Sequence, residues 1–134
     1  MTPPIQADLI KAMAKEPNLT DFGMGVFEQH RKTKEQIEAE FKKERKALEE
    51  NLKQFQLCCE WLSLCQPIKA INKKIGGSYA LKHRVERYFN EYVTNGAFIA
   101  AVLHLGIPYK THPESPNISV ALSSKSLPPD KQRQ

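Results

Sequence analysis

From Val26 to Leu64 the chain carries neither proline nor glycine, and Glu, Lys, Gln, Ala and Leu dominate the stretch. Nothing in it breaks a backbone hydrogen-bond ladder, and its residues are strong helix formers, so summed propensity predicts one long helix across it. Phe41, Leu48, Phe55 and Leu62 recur every seven residues, with Ile37, Cys58 and Cys65 at the complementary positions and Leu52 and Cys59 beside the seam. Such spacing suits a coiled coil. Glu44 and Asn51 interrupt it, and a polar Asn at a seam position fixes register at a cost in stability. Two arrangements remain open: a seam between or within chains, or a helix packed along its own domain. The expected dimerisation residues are Ile37, Phe41, Leu48, Leu52, Phe55 and Leu62, and the expected assembly is a homodimer.

The rest of the chain divides around this helix. Residues 1–25 read as an N-terminal arm with Pro3 and Pro4, a short helix from Asp8 to Lys15 stopped by Pro17, and an apolar loop with two glycines. Residues 66–122 read as a compact helical domain, and the polar, proline-bearing stretch 123–134 as a disordered tail. Inside 66–122, Pro67 opens a short element with Ile68, Ile71 and Ile75 at helical spacing, and Gly76 ends it. Ser78 is a good N-cap for a second helix with Leu81 and Val85 on its inner face and Tyr88 and Tyr92 directed inward. A third helix, about Asn95 to Leu105, is apolar on nearly every side, with Thr94 or Asn95 as cap and Gly106 and Pro108 as stop, so it must be the core helix. Short β-branched runs at 107–111 and 117–122, separated by HPESPN, leave room for a short C-terminal β-hairpin. The expected class is mainly α: a long charged helix, then a trihelical unit resembling a helix-turn-helix.

With 134 residues and a net charge of +5, one modest core is all the chain can bury, and a polyanionic partner is favoured. Where the charge lies says more than its total. Glu28 to Phe55 holds eight Lys or Arg against seven Glu, whereas Pro67 to Phe89 holds six against Glu86 alone. Cations beside a tight turn between two helices suit a nucleic-acid groove. Ser78, Tyr79, Lys82 and His83 would lie nearest base edges, and Lys69, Lys73, Lys74, Arg84 and Arg87 would meet phosphates. Double-stranded DNA is the favoured ligand, and a host protein complex is the alternative partner.

Other chemistries find little support. There is no Gly-rich phosphate loop, paired-histidine motif or nucleophile elbow, so no catalytic residues are assigned and no cofactor is expected. Cys58, Cys59, Cys65 and His83 do not make a metal site, because adjacent cysteines on a helix diverge by about 100°. Three clustered thiols cannot form a disulfide framework, which suits a reducing compartment. No run of apolar residues is long enough to span a bilayer, and MTPPIQADLI lacks the cationic opening and apolar core of a secretory signal, so the cytoplasm is expected.

The stretch Gly77–Lys110, about a quarter of the chain, carries Ser78-Tyr79, Leu81-Lys82-His83, Glu86, Tyr92-Val93 and Asn95 to Ala101, with Pro116-Asn117 downstream. It resembles a pattern in small uncharacterised bacterial proteins of plasmids, prophages and genomic islands. The resemblance implies an origin in a mobile element and an intracellular setting. Such elements encode small regulators, partition accessories and proteins that disable host defences, so the resemblance admits a protein partner as readily as DNA.

Overall fold

In the computed structural model, which describes residues 2–130, five α-helices and two small antiparallel hairpins enclose one core. In chain order they are α1 (Gln6–Ala14), β1 (Leu19–Thr20), β2 (Gly23–Met24), α2 (Lys34–Glu49), α3 (Leu52–Ser63), α4 (Ser78–Phe89), α5 (Asn95–Leu105), β3 (Tyr109–Thr111) and β4 (Ile118–Val120). Short 3₁₀ turns occupy Gln29–Arg31, Lys73–Ile75 and Ser124–Ser126. β1 pairs with β2 through Leu19 with Met24 and Thr20 with Gly23, and β3 pairs with β4 through Tyr109 with Val120, Lys110 with Ser119 and Thr111 with Ile118.

The mainly α expectation, the core helix and the C-terminal hairpin all appear, but the single long helix does not. Gln29–Arg31 is only a 3₁₀ turn, the chain re-enters a helix behind the Thr33 cap, and it breaks again at Glu50-Asn51. Propensity alone would run through that second break. Asn51 Nδ2 instead donates to Asp21 Oδ1 at 3.0 Å, Gln54 Oε1 at 2.9 Å and Thr94 Oγ1 at 3.3 Å, and Thr94 Oγ1 donates to Asp21 Oδ1 at 2.8 Å. A long-range polar knot thus fixes the corner between α2 and α3, outweighing the one or two ladder bonds lost there.

The corner turns the heptad residues inward. Leu48, Phe55 and Leu62 are fully buried in the chain's own core, so they are not available as a seam to a second copy; Ile37, Phe41 and Leu52 are half-buried. α3 lies on α5, with Trp61 and Phe98 ring centres 6.3 Å apart and Phe55 packed edge-on to His104. α5 is buried continuously from Asn95 to Leu103, which its all-round apolar sequence requires. Thr94 caps it, its Oγ1 accepting from Ala97 N, and Gly106 ends it with φ +71°, a conformation glycine takes without penalty. Gly96 meets a harder constraint. A Cβ there would stand 2.0 Å from Thr20 O, because the β1–β2 hairpin lies directly against the first turn of α5 and Gly96 N donates to Asp21 O.

α1 begins and ends close to expectation, and Arg45 of α2 closes its C-terminal end by donating to Met13 O, Pro17 O and Leu19 O. Tyr109 of β3 donates to Glu16 Oε2 at 2.5 Å, tying the hairpin to α1; burial and the neighbouring carboxylate push the phenol up to about 12.

The stretch 123–130 is docked, contrary to the expected disordered tail. Ser123 N donates to Gln66 O, Ser126 Oγ accepts from Gln66 N, and Pro128 is buried. The remainder of that expected tail, 131–134, lies outside the described residues.

Candidate nucleic-acid interface

The expected helix over 67–75 is absent, and with it the helix-turn-helix. Pro67 forms a bridge with Leu122, Ile68 N donates to Ala121 O and Asn72 N to Val120 O, so this segment runs extended along the end of β4. Backbone pairing with a distant strand has overridden the helical spacing of three isoleucines. Only Lys73–Ile75 turns, as one 3₁₀ unit held by Asn72, whose Oδ1 accepts from Lys74 N while its Nδ2 donates to Leu122 O and Ser124 Oγ.

α4 forms where expected, one position displaced at its start. Gly77 is the N-cap; Ser78 is buried, and its Oγ accepts from Ile118 N. Ser78 therefore anchors α4 to β4 and is withdrawn from any base edge. Leu81 and Val85 form the buried stripe.

Two residues exchange the sides expected for them. Lys82 is 4% exposed and Tyr92 66% exposed. Lys82 Nζ bonds Glu86 Oε2 at 2.9 Å and lies 5.3 Å from the Tyr79 ring centre and 4.7 Å from that of Tyr92. Burial tends to raise the Glu86 carboxyl, but hydrogen bonds from Lys82, His83 and Val93 N, with the Lys82 charge, outweigh it and hold Glu86 below its ordinary value. His83 Nδ1 stands 2.7 Å from Glu86 Oε1, and its ring meets Tyr79 edge-on at 4.7 Å. Lys82 is thus satisfied internally and withdrawn from the base edges expected for it, and Tyr92, carried over it by the left-handed turn at Asn90, stands in water. The Lys82–Glu86 spacing of four residues was the sequence signal for this pair.

What remains outside is smaller than the sequence promised, and better defined. Arg87 Nε donates to both carboxylate oxygens of Asp130, at 3.2 and 3.0 Å. Lys69, Lys73, Lys74 and Arg84 make no ion pair among the described residues. The Lys73–Lys74 turn adjoins the outer face of α4, because Gly76 sits against the exposed Ala80, and Arg84, half-buried, follows one helical turn later. Tyr79 projects at the same end, 54% exposed. The only acid of 66–89, Glu86, points inward, so the segment contributes no carboxylate to this face.

The thiols belong to the core. Burial raises Cys58 well above its ordinary value and pushes Cys59 and Cys65 up to about 12, so all three are poor nucleophiles and poor ligands in the folded protein. No group of three or more His, Cys, Asp or Glu side chains among the described residues is placed to hold a metal ion, and no helix there is long and apolar enough to cross a membrane.

No protein-family model matches this chain, and neither a curated protein nor a solved structure is significantly similar to it.

Proposed function

We propose that the chain binds nucleic acid through the outer face of α4 and the Lys73–Lys74 turn, as a regulatory or accessory factor of a mobile element. One observation carries this reading: Lys69, Lys73, Lys74 and Arg84 stand without carboxylate partners around a segment whose single acid is turned inward. Cations that served only to solubilise the protein would be interleaved with exposed acids, as they are along α2. Phosphate contacts need neither a groove-reading helix pair nor an enclosed pocket, so the loss of the helix-turn-helix leaves the electrostatic argument intact. The test is a salt titration by fluorescence anisotropy on a labelled oligonucleotide. Four phosphate contacts give a slope of log affinity against log salt of about −3.6 on duplex DNA and about −2.8 on a single strand. Binding that ignores salt would refute the reading.

A protein partner is the second reading, favoured by α2. Of its sixteen residues only Leu48 is buried, leaving Ile37 and Phe41 half-exposed along a charged rod. A host protein or a second copy would cover that face, and its binding would respond to Ile37→Asp and Phe41→Asp rather than to changes on α4.

A further inference from the structure

The interface contains two large aromatic rings that the phosphate contacts leave unused. Resting on the nucleic-acid reading above, we infer that the ligand is a single strand whose bases stack on the outward faces of Tyr79 and Tyr92.

Both rings are well exposed, yet neither is loose. Each lies against the same ammonium, that of Lys82, at 5.3 and 4.7 Å, and that ammonium is fixed by Glu86. Glu86 is fixed in turn by His83 and by Val93 N. Tyr79 gains a further edge contact with His83. The inner ring faces therefore hold a cation, a favourable contact for a π-system, while the outer faces remain in water. Anchoring removes the ordering cost that a mobile aromatic side chain would incur when it receives a base. The two ring centres cannot be farther apart than the sum of their distances to Lys82 Nζ, so one short strand can reach both.

The surroundings complete the match. Lys73 and Lys74 are exposed just before the Tyr79 end of α4, so cations adjoin that ring where a phosphate backbone could meet them. In a duplex the faces of bases are consumed by stacking on one another, and only edges are presented in the grooves. Two exposed rings gain nothing from edges. Reading edges calls for an element shaped to enter a groove, and 67–75, which would have completed one, is extended and paired to the end of β4. Aromatic faces with adjoining cations suit an unpaired strand of DNA or RNA, with little dependence on sequence.

The competing structural role is simple cover, in which the tyrosines shield the Lys82–Glu86 pair from water. Substitutions separate the two. Phenylalanine keeps both cover and π-face; leucine keeps apolar cover and removes the face. The experiment measures anisotropy of fluorescein-labelled twelve-nucleotide oligo(dT), oligo(U) and a duplex of equal length with wild type, Tyr79→Phe, Tyr92→Phe, Tyr79→Leu and Tyr92→Leu, each checked for folding by thermal melting. Tighter binding of the single strands than of the duplex is expected, with each leucine variant weakened about 5- to 150-fold and each phenylalanine variant close to wild type. Equal affinity for strand and duplex, or leucine variants that bind as wild type, would overturn the stacking inference while leaving nucleic-acid binding standing. Failure to bind any of the three probes would overturn both. The ratio of oligo(dT) to oligo(U) affinity then assigns the preferred strand chemistry.

Discussion

α4 and α5 are helices of nearly equal length in contact with one another, and they use their side chains in opposite ways. α5 buries nine consecutive residues and keeps nothing for the outside. α4 buries Leu81 and Val85, encloses one ion pair, and leaves Tyr79 and Arg87 exposed and Arg84 half-buried. A side chain used by the core or by an internal partner is accounted for by stability, and what remains to be explained around α4 is three lysines and one arginine without an ion pair, and two tyrosines that stay exposed beside Lys82. Lys82 and Arg84 make the contrast within a single turn, since one cation is neutralised inside and the other has no acid to meet.

The sharpest break of that contrast is Phe98→Ala in α5, expected to cost about 3–5 kcal/mol because the ring is fully buried against Trp61 and cannot be replaced by water. Urea denaturation measures it, and a loss comparable to that of a surface change would mean α5 is not the core helix. Lys82→Ala is expected to cost about 3 kcal/mol, the lower end for breaking a buried pair, as the Glu86 side chain keeps 19% exposure and can regain some water. The acid limb sharpens the same point. Glu86 has a folded value below its ordinary 4.5, so its contribution is complete above that pH and disappears as pH falls through the lowered value. Glu86→Gln should therefore destabilise near neutrality and flatten the acid limb of a stability-against-pH curve. Arg84→Ala should change stability by no more than about 0.5 kcal/mol, since it removes no internal partner.

Much of this arrangement was legible in the sequence. α4 and α5 announced themselves through helical periodicity, Thr94 and Gly106, and the C-terminal hairpin through β-branched runs around HPESPN. These signals are local, and local chemistry decided the outcome. What was missed depended on distant partners. The corner at Asn51 is made by Asp21 and Thr94, thirty and forty-three residues away in sequence. The extended course of 67–72 is imposed by residues 120–122, and no property of Ile68, Ile71 and Ile75 reveals that pairing. The β1–β2 hairpin went unseen because each strand is two residues long, and its tight seat on Gly96 explains the Asn95-Gly96 step only after the fold is known. For the candidate interface, the sequence marked the cation-rich segment but assigned Lys82 and Tyr92 to each other's sides. Charge type alone does not tell an enclosed lysine from a solvated one; the glutamate four residues on was the available clue.

On the proposed reading, the cations around α4 that lack an ion pair, and not the enclosed one, meet an anionic strand. The most direct measurement compares the salt dependence of oligo(dT) binding for wild type and for the combined variant Lys73→Ala, Lys74→Ala, Arg84→Ala, whose fold is verified by urea denaturation. The slope should fall from about −2.8 to about −0.7, as three of four phosphate contacts are removed. A slope unchanged in the triple variant, or a wild-type protein that binds without any salt dependence, would contradict the claim.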